Sequence, residues 1–267
     1  MSASPYLLDN ADAEAARRME ILAKLYDPAT REALAGVGLA PGWKCLEVGG
    51  GGGSVAAWMA ERCAPHGSVL CTDIDPRHIA GGPDNLRVER HDITRDALPA
   101  AHFDLIHARL VLMHIPARDD VLARLVTALK PGGWLVIEDF DVMAVPPDAT
   151  INPAEAHFAA TDAMRKYMTA GGADPRYGRR LFGRFQERGL EAVGADGRVM
   201  MFAGHNAGVE LMRVNFEQIG AKLVASGLIG AAQLTADLDR IARGEFVWPS
   251  PVMWTVAGRK PANAEAR

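Results

Sequence analysis

A short apolar segment, Lys44 to Val48, runs straight into five consecutive glycines, Gly49 to Gly53, and a helix-forming stretch, Ser54 to Cys63, leaves them. Little else in the chain constrains the fold as tightly. Glycine has no side chain and accepts positive φ, so a strand can turn sharply there and bring its backbone against a ligand. The helix that follows points its free N–H groups at the same place. The loop alone is ambiguous, because Gly51-x-Gly53-x-x-Ala56 also fits a dinucleotide fingerprint.

Strand-like and helix-like segments alternate after the loop. Ser68 to Thr72, Leu86 to Arg90, Phe103 to His107 and Trp134 to Phe140 read as strands. Pro76 opens a short helix, and Ala117 to Leu129 forms an amphipathic one. This order predicts an α/β fold: a doubly wound, mostly parallel seven-stranded sheet with helices on both faces. Before the loop, Ala11 to Tyr26 reads as helix, and Asp27-Pro28 reads as the N-cap and first residue of a second helix ending near Gly36 and Gly38. After Asp141, prolines 146, 147 and 153 mark a loop, and helical segments follow at Asn152 to Ala170, Arg179 to Arg188, Ala207 to Ser226 and Ala231 to Arg243. Leu190 to Phe202 is strand-rich, and Pro251 to Gly258 is a last strand. The expected division is an N-terminal helical segment (1–40), a ligand-binding core (41–141), an added helical lid with strands completing the same sheet (142–260) and a loose tail (261–267).

Three acids sharpen the reading. Glu47 ends the first strand, just before the glycines, where a carboxylate repels a pyrophosphate and suits an ammonium group. Asp73 ends the second strand and can accept hydrogen bonds from ribose hydroxyls. Asp92 follows the third strand and can accept one from an adenine amino group. Ile74 and Ile93 come directly after these acids and can sandwich the adenine ring. Ammonium, ribose and adenine across adjacent strand ends describe S-adenosylmethionine (SAM) rather than NAD. Each acid also has a plainer role open to it: Glu47 or either of Asp73 and Asp75 as a helix cap, and Asp92 as a turn former.

The segments Leu46-Glu47-Val48-Gly49-x-Gly51-x-Gly53, Thr72-Asp73-Ile74-Asp75-Pro76, His91-Asp92-Ile93, Phe103 to Ala108 and Leu129-Lys130-Pro131-Gly132-Gly133 occur in that order. Over roughly residues 40–140 the chain therefore resembles the class I, Rossmann-like SAM-dependent methyltransferases of small-molecule type. The resemblance implies that Glu47, Gly49, Gly51 and Gly53 hold the methionine end, Asp73 the ribose, and Asp92 with Ile93 the adenine. It also implies that Ala108 and Arg109 line the site near the sulfonium and carboxylate. Asp75 departs from the pattern, since many relatives carry Ser there.

For the acceptor, composition excludes more than it selects. The net charge of −4 argues against a nucleic-acid partner, and arginines 176, 179, 180, 184 and 188 are expected to form a solvated helix face. An Asn/Asp-Pro-Pro-Tyr/Phe element, common in enzymes that methylate amino groups of DNA bases, is absent. The segment after Asp141 is rich in methionines and aromatics suited to a bulky apolar molecule. His157 and His205 are the candidates for a general base there. His114 is expected to be structural, nothing is assigned to His107, and Glu138 and Asp139 are candidates for substrate contact.

No metal-ligand pattern is present, and the three cysteines lack CxxC spacing, as in a reducing compartment. The first ten residues lack a basic-then-apolar leader, and no apolar run is long enough to span a bilayer, so a cytoplasmic protein without membrane contact is expected. The sequence is compatible with a homodimer. Arginine outnumbers lysine 23 to 6, a composition of GC-rich genomes that fits secondary-metabolite tailoring. The expected activity is SAM-dependent methyl transfer to an oxygen, nitrogen or carbon of a small apolar or aromatic metabolite. The alternatives are a SAM-fold cyclase or binding protein, or a NAD(P)-dependent oxidoreductase.

Overall fold

The computed structural model describes residues 14–144 and 158–262. The apolar run before the glycines is β1 (Lys44–Val48), buried at every position after Lys44. A strand buried this way needs partners along both edges and helices above and below. β2 (Ser68–Asp73) and β4 (Phe103–Arg109) flank it in parallel, with β3 (Leu86–Arg90) outside β2 and β5 (Leu129–Asp141) outside β4. β9 (Val252–Arg259) adds antiparallel to β5, and β6 (Glu191–Arg198) antiparallel to β9. The order β3-β2-β1-β4-β5-β9-β6 is the expected doubly wound, mostly parallel sheet of seven strands. Its order reverses between β1 and β4, and in such sheets ligands bind there, at the carboxyl ends of the strands.

Side chains alternate across the sheet, as the strand repeat requires. Cys45, Leu105 and Val136 face one side and pack with Val55, Met59 and Cys63 of α2 (Ser54–Cys63). Their neighbours Leu46, Ile106 and Leu135 face the other and pack with Val121, Leu122 and Leu125 of α3 (Arg118–Ala128). Further along the chain, α4 (Ala159–Ala170) and α5 (Tyr177–Glu187) precede β6. β7 (Met201–Ala203), α6 (Ala207–Ala225), α7 (Ala231–Ile241) and β8 (Val247–Pro249) follow it. α5 lies on β5, β9 and β6, whereas α4, α6 and α7 pack on one another over the carboxyl ends of the strands. β7 and β8 form a separate two-stranded ribbon that the sequence reading did not separate out.

The N-terminal segment differs from expectation. Asp27-Pro28 does not start a helix; α1 (Ala15–Gly36) runs through Pro28 without a break. A proline inside a helix forfeits its own N–H bond and crowds the carbonyl one turn back. Here tertiary bonds hold the turn. Tyr26, Asp27 and Thr30 are all buried, and Arg109 at the end of β4 donates to Asp27 Oδ1 and Thr30 Oγ1, each at 2.8 Å. α1 also packs along α6, which brings it to the wall of the site.

Candidate active site

The glycine loop is pinned to the neighbouring strand. Gly49 and Gly50 donate their N–H groups to the Thr72 carbonyl at 2.7 and 3.1 Å. Gly49, Gly51 and Gly53 have φ of +69°, +57° and +81°, the left-handed region where a side chain is strained. Their surroundings differ. A Cβ on Gly49 would run into the Val111 side chain, while one on Gly51 would meet nothing within 4 Å and would enter the cavity. Gly53 does not border the cavity: it caps α2, and a Cβ there would sit 2.8 Å from Ile79. Gly53 therefore serves the turn into α2 rather than the cavity wall.

Asp73 sits at the end of β2, buried at the cavity edge. Its Oδ2 accepts from the Gly51 N–H at 3.0 Å and its Oδ1 from the Asp75 N–H at 2.9 Å. It thus ties the glycine loop to the strand end and keeps a lone pair on each oxygen for a ligand. Burial raises its pKa against those two bonds. Ile74 beside it is 55% exposed and Ile93 is buried, and both border the cavity. Asp92 borders it too, held in a turn by the Thr94 N–H and hydroxyl at 2.9 and 2.6 Å. Asp73, Ile74, Asp92 and Ile93 are brought together with Glu47, Gly49 and Gly51 around one opening.

Ala108 and Arg109 separate. Ala108 is buried in the core and does not border the cavity, whereas Arg109, the last residue of β4, does. The expected ligand role of Ala108 is corrected to packing.

Glu47 borders the cavity as expected, but its charge is not unshared. Its Oε2 is 2.6 Å from His107 Nδ1, and His107 Nε2 is 3.3 Å from Glu138 Oε2. His107 is fully buried; burial alone would strip its proton, but the two carboxylates hold its pKa up at about 9. Glu138 also accepts from the Thr30 hydroxyl and, at 2.6 Å, from the Thr255 hydroxyl. Glu138 and Asp139 do not reach the cavity, so their expected contact with substrate is corrected: both are buried beneath it.

The cavity measures about 1210 Å³ and continues from the glycine loop into the lid, past Phe140, Phe158, Met212, Phe216 and Trp248. A single-ligand pocket is typically about 300–1,000 Å³, so this one has room for a cofactor and an acceptor. His205 is not in it; it lies exposed in the turn before α6. Its proposed role as base is corrected on that ground. His157 lies outside the described residues. His91 and His114 do border the cavity, and burial together with Arg18 and Arg118 pushes the His114 pKa down to about 4. Tyr26 and Asn215 border it as well, and neither drew notice in the sequence. A helical segment shows which face is apolar, but not that a tyrosine or asparagine on it faces a cavity built by other elements.

A family model described as a methyltransferase domain matches residues 13–194. Methyltransferase str3 of Strobilurus tenacellus is 32% identical over 184 residues, which cover 67% of this chain and 64% of that protein. The chain spans only part of the curated relatives it matches, 50% and 64% of the two Strobilurus proteins. Among solved structures, phosphoethanolamine N-methyltransferase 2 of Haemonchus contortus, in complex with phosphomonomethylethanolamine and S-adenosylhomocysteine, superposes with a TM-score of 0.59 at 15% identity. That superposition covers 96% of this chain and 60% of the other. The [4+2]-cyclase SpnF superposes with a TM-score of 0.55 at 16% identity, over 89% and 81% of the two chains. At such identities both structures speak for the fold alone.

Proposed function

The chain belongs to the methyltransferase-domain family, and from that premise we propose that it transfers a methyl group from SAM to a small, bulky apolar or aromatic acceptor. One observation carries this reading: a single cavity joins the glycine loop, Asp73 and Asp92 to a lid wall of aromatic and methionine side chains.

The residues present fit an adenosyl sulfonium. Gly51 leaves open space where a side chain would stand, Asp73 keeps acceptor capacity, and Ile74 and Ile93 offer apolar surface beside Asp92. When bound, SAM supplies a methyl carbon activated by its positively charged sulfur. Asp73 would hold the ribose hydroxyls and Asp92 the adenine amino group. Glu47 and Arg109, at the reversal of strand order, would receive the two charged ends of the amino-acid moiety. The lid helices and α1 would hold the acceptor in line and keep water out, which is most of what such a transfer requires of a protein. A base is needed only where the attacking atom must lose a proton. His91 and His114 are the described histidines that border the cavity, and His114 is neutral near pH 7, since its pKa is pushed down to about 4.

Titration calorimetry with S-adenosylhomocysteine tests the cofactor half. Micromolar binding is expected, weakened at least about tenfold in Asp73→Ala, where the loss of charge-assisted hydrogen bonds sets the size of the effect. Heat with NAD and none with S-adenosylhomocysteine would overturn the assignment. Transfer of labelled methyl from SAM to an aromatic acceptor separates methyl transfer from a cyclase or purely binding role.

A further inference from the structure

The two edges of the seven-stranded sheet are finished differently. β3, on one edge, has five residues, and the charged side chains of Arg87, Glu89 and Arg90 guard it. β6, on the other, has eight residues with neither lysine nor proline, and Glu191, Ala192, Gly194, Asp196, Gly197 and Arg198 are exposed. It pairs with β9 alone, so its outer N–H and C=O groups have no strand beside them among the described residues. An open edge of this length invites another strand, and folded proteins blunt such edges with lysine, proline, bulges or a covering element. β6 carries one of these devices, a bulge, and the bulge turns out to fit a partner.

The strand is complementary to itself. A two-fold axis normal to the sheet sets a strand antiparallel to its own copy, with one residue facing itself and the others paired around it. Centred on Ala195, Gly194 meets Asp196 of the copy. The bulge decides what Arg198 meets. Ala192 has φ of +50°, and the register with β9 slips by one between Glu191 and Gly194. Glu191 pairs with Arg259 and Gly194 with Ala257, so Glu191 stands on the same face as Gly194, Asp196 and Arg198. The slip brings Glu191 opposite Arg198 of the copy, once at each end. Among the described residues Glu191 has no ion pair, and Arg198 has a long one, 3.6 Å to the exposed Glu32.

The helix over this edge has the same centre. Ala195 packs in the cluster that holds Leu181 and Phe185 of α5. α5 runs antiparallel to β6: Gly178 packs on Trp254, the register partner of Gly197, and Phe185 packs on Gly258, near the Glu191 end. Phe182 lies between them, level with Ala195. Arg184 and Arg188, one turn apart, reach Asp119 of α3, which marks the flank of α5 turned toward the middle of the sheet. Phe182 is two residues from Arg184, about 160° around the helix, on the flank turned toward the open edge. It is 39% exposed, an unusual place for so large an apolar ring. We propose that two copies of this chain join edge to edge through β6, antiparallel about Ala195, with Phe182 meeting its copy over the dyad and Glu191 bonding Arg198 at both ends. The two sheets then run on as one. Charges matched to the strand's own reversal, and an apolar ring at its centre, favour a second copy over a foreign strand.

Sedimentation velocity on the full chain at micromolar concentrations tests this, and a species of twice the chain mass is expected. Glu191→Arg and Arg198→Glu each set like charges opposite one another at both ends, so each should weaken the dimer at least about tenfold. Mixed together, the two variants should associate as the unsubstituted chain does, because both ends of the mixed pair are again opposite in charge. The positions are exposed and the Arg198–Glu32 pair is worth little, so both variants should fold, as circular dichroism reads. Phe182→Asp should abolish the dimer by placing two carboxylates against each other at the dyad. A chain that stays monomeric, charge variants that dimerise alone, a mixture that remains monomeric, or a dimer that survives Phe182→Asp overturns the proposal.

Discussion

His107 and Glu47 face each other across the middle of the sheet as register partners on β4 and β1, 2.6 Å apart from Nδ1 to Oε2. With Glu138 on the other side of the ring, the arrangement is a buried cation between two carboxylates, one of which borders the cavity. The expectation from sequence was a carboxylate whose charge was left for a ligand. Instead, the protein places a buried histidine beside it, whose pKa the two carboxylates hold up at about 9. His107 fixes the direction of the Glu47 carboxylate and shares its charge, so the carboxylate at the cavity edge is oriented and partly neutralised.

This trio makes stability depend on pH from both sides. The His107 pKa rises from 6.5 to about 9 in the folded chain, so its contribution is complete below 6.5 and is lost as pH climbs through 9. Burial opposes ionisation of Glu138, but its bond from His107 prevails and lowers it from 4.5 to about 2, so its contribution is complete above 4.5 and is lost toward pH 2. Melting temperature should thus peak between those limits and fall between pH 7 and 10. His107→Gln should cost about 3–5 kcal/mol at pH 6, since it leaves two buried carboxylates without their cation, and should flatten the alkaline limb. Where that variant does not fold, Glu138→Gln should move the limb to lower pH. An alkaline limb identical in either variant would show that the trio is not its source.

Asp139 behaves in the opposite sense from its neighbour. Complete burial pushes its carboxyl well above the ordinary range, and the Met113 N–H donates to its Oδ2 at 3.2 Å. Its carboxyl therefore holds a proton to higher pH than an exposed aspartate does, and it braces the segment after β4 that carries Val111 and Met113 to the cavity. Asp139→Asn keeps the acceptor oxygen without a charge to bury, so its stability should lie within about 1 kcal/mol of the unsubstituted chain. Asp139→Ala should cost about 1–3 kcal/mol by leaving the Met113 N–H unpaired. The folded chain holds a proton there that the unfolded chain releases above pH 3.8, so the asparagine variant should gain on the parent as pH rises. Denaturant melts at pH 5 and pH 8 decide it; a difference that does not change between them would mean Asp139 is ionised in the fold.

What the sequence disclosed and what it hid follow one physical line. Periodicity and glycine chemistry are local, so β1, its loop and α2 are legible from residues 44–63, and the acids at strand ends can be found by counting from them. His107 was hidden because its meaning depends on β1 and β4 being neighbours, which no residue of either strand states. Ala108 and Arg109 part because the cavity lies over the strand ends, and the sequence does not show how far down β4 it reaches. The continuity of α1 was hidden for a further reason. Pro28 breaks helices by local preference, and contacts distant in sequence, from Arg109 and Glu138, hold the turn around it.

That last interaction gives a test of how the N-terminal helix is held. Arg109 spans Asp27 and Thr30 with two nitrogens of one planar group, a geometry that lysine cannot copy. The other cation near Asp27, Arg31, stands 3.5 Å away and is partly exposed. Arg109→Lys should therefore cost about 1–3 kcal/mol, the scale of hydrogen bonds to a charged group. The loss should be uneven along α1. Leu34, after the proline, is anchored in the core beneath α2, whereas Ile21 and Tyr26, before it, rest on α6 and its neighbours. Without its own bond at Pro28, the helix can yield there. Hydrogen exchange should accelerate across residues 15–27 and change little across 29–36, with a parallel loss of affinity for S-adenosylhomocysteine as Arg109 itself borders the cavity. Uniform exchange along the whole helix in Arg109→Lys would show that the tether does not hold the first half in place.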